Sequence, residues 1–492
     1  MKKRAITLLA AIVCLTSAMR LAGQSFNAGE TTKLKTFLRM KSGVEGKLNY
    51  EQLGIADTNA INWATVTGLT WGADGRLQAM LWNEKELGGE LDLSGFTSLR
   101  TLHCERNSLL FLHLTGDTSL VYVDCFNNMF KSLDISTNVN LDHFCCRYNQ
   151  LDTLDVSHNP KLTFLCLSGN QFRRFDTSKN PLLMDFYAAA CQLEEIDFSH
   201  NPMLRISSVR GNKLKRIDIS GHEQLTQFYC HDNELTELNV KGCKALTFLS
   251  AYGNKLTTLD VSTCPALERL PLYDNSIAEL DVSACPKIAF ISTMNNGMHM
   301  LKLPKSPLDR LSIMCESNRF TFSTLPDVKY LNPYAPQAKI SLSAPVDKVD
   351  LSAEYKVRGA VSVFTWRNGT DTVTPTTARE GLFSFPADLA GRTLTCTVKN
   401  AAYPKLTLTY EVALSSPTAN VTVAADARPT VRTESGRLVI TTARPLVAGV
   451  YAITGVLVAR RNLGIGESHF ILPRGIYIVS FSDGTARKVV VE

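Results

Sequence analysis

The sequence predicts a mainly β protein: a solenoid of stacked coils with a small helical N-terminal cap, followed by two all-β, sandwich-like domains. Three observations predict this fold. A 21-residue unit recurs ten times without a gap from Leu99 onward. Helical spacing of apolar residues occurs in a short segment before the repeats, and segments of alternating apolar and polar residues follow them.

The repeat unit reads L-x-x-L-x-(C/L/A)-x-x-N-x-L-x-x-L-D-(V/I)-S-x-(N/C)-P-x, and only Cys191 replaces the ninth-position Asn. The unit matches the leucine-rich-repeat signature, in which each coil buries its apolar face against neighbouring coils. Side chains alternate along a strand, so positions 4 and 6 should point inward and positions 3, 5 and 7 onto a concave sheet. The ninth-position Asn should bond main-chain groups at the bend.

The segments before the repeats have two predicted roles. Residues 1–23 combine a basic start, an apolar stretch and small residues near the end, as in a signal peptide cut near Gly23. Residues 24–98 form the predicted cap and a degenerate first coil. The spacing of Leu34, Phe37 and Leu38 predicts a helix there. The tryptophans of this segment should pack the cap: Trp63, Trp71 and Trp82.

The solenoid is predicted over 99–330. Residues 331–414 alternate as strands and suggest an immunoglobulin-like domain, in which Trp366 and Cys396 form a core pair without a disulfide. A linker over 415–430 leads to a last segment of short strands, 431–492.

Most cysteines follow the repeat, which predicts packing and not a disulfide framework. We expect small buried residues at positions 6 and 19, and the cysteines there are Cys104, Cys125, Cys146, Cys230, Cys243, Cys264 and Cys285. Cys145 and Cys166 instead point outward, one coil apart and about 4.8 Å from each other. A disulfide between them is within reach but strained, so both states stay open.

Two resemblances extend the interpretation. Units with Cys in the ladder and "LDVS" in the second half resemble the internalin-J type of bacterial leucine-rich repeat over residues 60–320. Residues 431–492 resemble the C-terminal sorting domain of the type IX secretion system of Bacteroidetes-type bacteria, although Ala452 and Val456 depart from the usual pattern. This second resemblance implies passage across the outer membrane and a protein that is surface-anchored or secreted. The matching residues are Tyr451, Gly455, Gly475, Tyr477 and Lys488.

The concave face is the predicted functional surface. Exposed aromatic side chains with interspersed arginines are typical of binding surfaces, although the rings could also stack on one another and bind nothing. The resemblance to internalin-J-type repeats implies that the partner is a protein or glycan on host or neighbouring bacterial cells, and that binding serves adhesion or biofilm formation. The alternatives are a passive scaffold of the cell envelope and, as a minor one, an enzyme that uses His143, Cys145 and Cys166. The predicted ligand-binding residues are Tyr187, Arg210, Tyr229, Phe248, Tyr252, Arg269, Tyr273 and Phe290.

Other chemistries find little support in the sequence. Standard catalytic motifs are missing, so we expect no enzyme, no catalytic residue and no cofactor. The net charge is only +6 and the basic residues are scattered, which argues against nucleic acid. No apolar run after the signal peptide is long enough to span a membrane. We expect no metal site, with calcium along a column of aspartates at position 15, or zinc among Asp124, His143, Cys145 and Cys166, as the minor alternatives.

Overall fold

The computed structural model describes residues 25–305, 308–417, 429–434, 437–442, 445–482 and 485–491. The predicted signal peptide, and most of the predicted linker over 415–430, lie outside these residues. The chain divides into two compact units: one ends at Leu414 and the other consists mainly of Ser415–Glu492. The first unit contains the solenoid and the sandwich that follows it, and the fold class that the sequence predicts is confirmed.

One long sheet of 14 short strands forms the concave side of the solenoid. Its first two strands are antiparallel, and every later pair with a described register is parallel. Neighbouring coils pair in register, as His103 does with Asp124. In order, the strands are Leu69–Trp71, Leu77–Leu81, Thr101–His103, Tyr122–Asp124, His143–Cys145, Phe164–Cys166, Asp185–Tyr187, Ile206–Ser208, Gln227–Tyr229, Phe248–Ser250, Arg269–Pro271, Phe290–Ser292, Ser312–Met314 and Tyr330–Leu331.

Three two-stranded parallel sheets form on the opposite, convex side. They are Gly88–Asp92 with Ser108–His113, Arg216–Asp218 with Glu237–Asn239, and Glu279–Asp281 with Met300–Lys302.

The ninth-position asparagines form the predicted ladder. Asn128 is typical: its Oδ1 accepts from the Leu109 amide at 3.0 Å, and its Nδ2 donates to the carbonyls of Cys104 and Cys125 at 2.9 and 3.1 Å. The ladder continues to Asn318. Gln337 then takes the same role, donating to the Cys315 carbonyl at 2.8 Å. The proline-rich segment around residues 331–338 therefore completes the last coil.

A second ladder runs along position 19. Asn138, for example, donates through Nδ2 to the carbonyls of Leu114 and Asp117, both at 3.0 Å. In later coils a cysteine thiol fills the same place, and Cys243 donates to the Ile219 carbonyl at 3.1 Å. The cysteines of both repeat positions are buried, as predicted. Those at position 19 are also hydrogen-bond donors, which the sequence argument missed.

The N-terminal cap forms as the sequence predicts. Helix α1 spans Ala28–Leu38, with the Asn27 side chain accepting from the Glu30 amide, and Leu34, Phe37 and Leu38 are buried. Trp82 is fully buried and stacks on Phe37 at 5.9 Å. The cap also contains helix α2, Asn49–Gln52, and a 3-10 turn, Trp63–Thr65.

Two facing sheets follow the solenoid within the same unit. Trp366 pairs with Cys396 in one sheet, is 2% exposed, and packs on Phe383 of the other at 5.1 Å. The five-stranded sheet contains Ile340–Pro345, Thr407–Ser415, Thr393–Lys399, Val363–Asn368 and Asp371–Thr372; the three-stranded sheet contains Val349–Asp350, Leu382–Ser384 and Thr377–Arg379. This segment also contains a short hairpin, Lys356–Val357 with Ala360–Val361. Its two 3-10 turns are Ser352–Glu354 and Ala387–Leu389.

The second unit has its own core between two antiparallel sheets. Tyr477 is buried in this core and donates through its hydroxyl to the Pro473 carbonyl at 2.9 Å. Gly455 takes a φ of +86° in the turn between two strands, where a side chain would be strained. The sheets contain Thr430–Glu434, Arg437–Thr442 and Gly466–Ile471, and Leu457–Leu463, Leu446–Ala452, Gly475–Phe481 and Ala486–Val491.

Candidate binding surface

The outward rings of the concave sheet contact one another across neighbouring coils. In-register side chains on adjacent strands lie about 4.8 Å apart, close to the spacing of stacked rings. On the C-terminal coils the ring centroids of His231 and Tyr252 lie 4.3 Å apart, and those of Tyr252 and Tyr273 lie 4.2 Å apart at 10°. Tyr229 contacts Phe248 beside them at 5.0 Å. We call these five residues the C-terminal ring stack.

Two arginines border this stack. The Arg269 guanidinium lies between two rings, 5.9 Å from the centroid of Phe248 and 5.3 Å from that of Phe290. Arg210 is exposed, and its charge helps to lower the pKa of His231. Burial is the main cause of that lowered pKa, so His231 is neutral at pH 7, with its Nδ1 3.0 Å from Ser250 Oγ.

The structure therefore brings seven of the eight predicted ligand-binding residues into one region and places the eighth elsewhere. Tyr187 lies against Phe164 at 5.6 Å, at the end of a second stack on the N-terminal coils. That N-terminal ring stack continues through His143 and Tyr122 to His103, and the inner pairs are nearly parallel, at 4.1 and 4.0 Å.

Asp124 holds the N-terminal ring stack together. Its Oδ2 accepts from the Tyr122 hydroxyl at 2.8 Å and its Oδ1 lies 3.1 Å from His143 Nε2. Burial raises the pKa of Asp124, but hydrogen bonds from His143 and Tyr122 and the nearby His103 outweigh it and hold the pKa below its usual range. Asp124 is therefore a charged carboxylate at neutral pH.

Cys145 and Cys166 lie beside this stack as free thiols, buried and in register on adjacent strands. The hydrogen bond to Cys166 and burial raise the pKa of Cys145, and the same bond lowers the pKa of Cys166. Neither cysteine joins the group of three nearby potential metal ligands found among the described residues. That group consists of His103, Glu105 and Asp124.

The eighth position of the repeat takes a left-handed backbone, which explains its residue types. The φ angle is +54° at Tyr148, +55° at Asp232 and +72° at Gly169. At Gly169 a Cβ would also lie 2.4 Å from the Tyr148 ring. Glycine there supplies the backbone angle and lets the Tyr148 ring lie over the main chain.

The position-15 aspartates accept hydrogen bonds within turns. Asp155 Oδ1 accepts from the Ser157 amide at 2.8 Å, and this bond is the main cause of its lowered pKa. The same contact recurs along the column, for example between Asp281 and Ser283 at 2.9 Å. These contacts are Asx-type turns.

No helix of the described residues is long and apolar enough to cross a membrane. No protein-family model matches the chain, and no curated protein matches it.

Among solved structures, the chain is similar to the functional domain of InlJ from Listeria monocytogenes, which includes a cysteine ladder. The two sequences are 18% identical, the match covers 66% of this chain and 90% of the InlJ chain, and the TM-score is 0.41. It is also similar to the APL1 leucine-rich repeat domain, at 16% identity over 60% and 87% with a TM-score of 0.41. A third similar structure is YopM from Yersinia enterocolitica, at 20% identity over 53% and 67% with a TM-score of 0.35. These likenesses concern the fold alone.

Proposed function

We propose that this protein is a cell-surface binding protein that holds a partner protein against the concave face of its solenoid, in adhesion or biofilm formation. The observation that carries the proposal is the C-terminal ring stack with Arg210 and Arg269 at its borders. Tyrosine and arginine are enriched where interfaces gain most of their binding energy. The stack is also preorganised, so its own side chains would lose little entropy when a partner binds.

The stacking favours a protein over a glycan as the partner. A sugar ring binds by laying its C–H face on an open aromatic face. Both faces of Tyr252 are already covered, by His231 and by Tyr273. The ring edges and the hydroxyl groups remain for a partner, and these suit the mixed polar and apolar side chains of a protein surface.

Export and display at the surface belong to the same proposal. Residues 431–492 would direct passage across the outer membrane through the type IX machinery. Support comes from the resemblance of Tyr451, Gly455 and Gly475 to the sorting-domain pattern, and from the compact β unit that carries them. The signal peptide would supply the first export step.

The passive scaffold remains the rival proposal. It is favoured by the same stacking, because rings that cover one another need no partner to be shielded from water. An enzyme that uses His143, Cys145 and Cys166 is disfavoured by the burial of both thiols, at 5% and 6% exposure.

The test measures adhesion of beads coated with the full chain to cultured host cells and to bacterial cells. Tyr252→Ala combined with Tyr273→Ala should reduce adhesion at least tenfold, while thermal unfolding shows an intact solenoid. The control removes two exposed apolar residues from the convex side, Leu110→Ala with Phe111→Ala (45% and 49% exposed). Equal adhesion by both double variants would leave the scaffold as the better account. If soluble glycans inhibited adhesion and soluble proteins did not, the partner would be a glycan and not a protein.

A further inference from the structure

The N-terminal coils contain a group of polar side chains that the binding proposal does not use. His103 and Glu105 lie two residues apart, on the outward side of one concave strand and its continuation, and Asp124 lies in register with His103 on the next strand. The His103 Nδ1 atom is 3.5 Å from Glu105 Oε2 and 3.6 Å from Asp124 Oδ2. All three potential ligand atoms lie within 4.8 Å of one another.

These separations are too long for good hydrogen bonds and close to those of metal ligands. At 3.5 and 3.6 Å, a single Nδ1–H would satisfy neither carboxylate well. A tetrahedral Zn²⁺ ion with bonds of about 2.0–2.2 Å spaces its ligand atoms about 3.3–3.6 Å apart. The two distances from His103 already match this spacing, and movement of the Glu105 and Asp124 oxygens, which lie within 4.8 Å of each other, would complete three corners of a tetrahedron.

Glu105 has a buried carboxylate oxygen that lacks a hydrogen-bond partner. The residue is 9% exposed, and its Oε2 atom is buried without a hydrogen-bond partner. A buried carboxylate oxygen with no hydrogen-bond donor destabilises the folded chain. A cation between Glu105, Asp124 and His103 would remove this cost and the repulsion between the two carboxylates.

The surroundings fix the orientation of Asp124. Asp124 receives hydrogen bonds from Tyr122 at 2.8 Å and from His143 at 3.1 Å. Such second-layer contacts fix the direction of a ligating group and tune its affinity for a metal.

We propose that His103, Glu105 and Asp124 form a binding site for Zn²⁺ or a similar first-row divalent cation on the concave face. Imidazole with carboxylates suits zinc better than calcium, which prefers six to eight oxygen ligands. Three protein ligands leave a coordination position for water or for a donor atom of a bound partner. The site differs from the zinc alternative drawn from sequence, because His103 and Glu105 replace His143 and the two thiols.

The test is calorimetric titration of the metal-stripped full chain with ZnCl₂, and separately with CaCl₂. We expect one strong equivalent of zinc and at least tenfold weaker calcium binding. His103→Phe keeps a ring that can stack on Tyr122 but removes Nδ1, and Glu105→Gln keeps the shape of the side chain while removing its charge. Each should weaken zinc binding by about tenfold or more.

Two controls separate this site from other zinc ligands in the chain. His299→Phe removes an exposed imidazole that also lies beside a carboxylate, 3.1 Å from Glu279, and should leave the strong equivalent intact. Cys166→Ser should also leave it intact, which excludes the thiol pair as the ligand. Absence of strong zinc binding, or unchanged affinity in both His103→Phe and Glu105→Gln, would overturn the proposal.

Discussion

Asp117 sits in a ladder that is built for an amide, and replacing it with asparagine should stabilise the protein. It occupies position 19, where the next four coils carry Asn138, Asn159, Asn180 and Asn201. Each of these asparagines donates from Nδ2 to two carbonyls of the preceding coil. Asp117 is fully buried, and neither of its carboxyl oxygens has a hydrogen-bond partner.

The size of the effect follows from the protonation of this carboxyl group. Burial raises the pKa of Asp117 from 3.8 to about 8. The unfolded chain therefore releases this proton near pH 4, while the folded chain keeps it until about pH 8, so stability falls as the pH rises between these values. One pKa unit corresponds to about 1.4 kcal/mol. The raised pKa therefore lowers the free energy of unfolding by up to about 4 kcal/mol at pH 7 and about 2 kcal/mol at pH 5. Structural relaxation around Asp117 would reduce both values.

Asp117→Asn removes this cost and provides the Nδ2 donor that the ladder uses elsewhere. We expect the free energy of unfolding to rise by about 2–4 kcal/mol at pH 7, and by progressively less as the pH falls towards 4. Urea unfolding of both proteins at several pH values between 4 and 8, followed by circular dichroism, measures the difference. Asn138→Asp is the matched reverse change and should introduce the same pH dependence. A gain from Asp117→Asn that is equal at pH 4 and pH 7.5 would refute the reasoning.

Four other features of the chain can be tested by substitution, peptide mapping or deletion. Asn233→Ala should cost about 1–3 kcal/mol in urea unfolding, because the buried Leu214 amide loses its acceptor, while the Val209 and Cys230 carbonyls each keep a second amide donor; a cost below about 1 kcal/mol would mean that the ladder bonds are dispensable. Added Ca²⁺ should leave the melting temperature unchanged both in the unmodified chain and in Asp155→Ala. A rise with Ca²⁺ in the unmodified chain that is absent from Asp155→Ala would support calcium binding by the position-15 aspartates. Peptide mapping without reductant should find Cys145 and Cys166 as thiols, and a linked peptide would contradict this. Deleting residues 431–492 should strand the protein in the periplasm of a type IX-competent host, and undiminished surface display would remove the sorting proposal.

The repeat made most of the solenoid predictable. A 21-residue period fixes which residues stack in one column. The burial of the position-6 cysteines and the ladder of ninth-position asparagines could therefore be predicted from the sequence alone. The cap helix was equally accessible, because Leu34, Phe37 and Leu38 share one helical face.

The period could not show what each column does. The position-19 cysteines look apolar in sequence, yet Cys243 donates a hydrogen bond. Gln337 lies outside the repeat and still ends the Asn ladder. These roles depend on main-chain carbonyls of the preceding coil, which no side-chain pattern reveals.

The candidate site was predictable as a surface but not as an arrangement. Sequence placed Tyr252 and Tyr273 on the same face, but the rotamers that stack them are set by packing. His103 and Glu105 were missed as a group with Asp124. They are the fifth and seventh residues of the first unit, whereas Asp124 belongs to the second unit and approaches them only when the coils stack. Their order, His-x-Glu opposite Asp, was the signal available in the repeat alignment.

A partner protein bound to the C-terminal ring stack would be captured there by photo-crosslinking on intact cells. A benzophenone amino acid placed at Tyr252 in the full chain, and in a second sample at Phe111 on the convex side, reports what lies within contact distance. We expect one discrete protein adduct from position 252 and none from position 111. No adduct from position 252, or the same adducts from both positions, would contradict the claim.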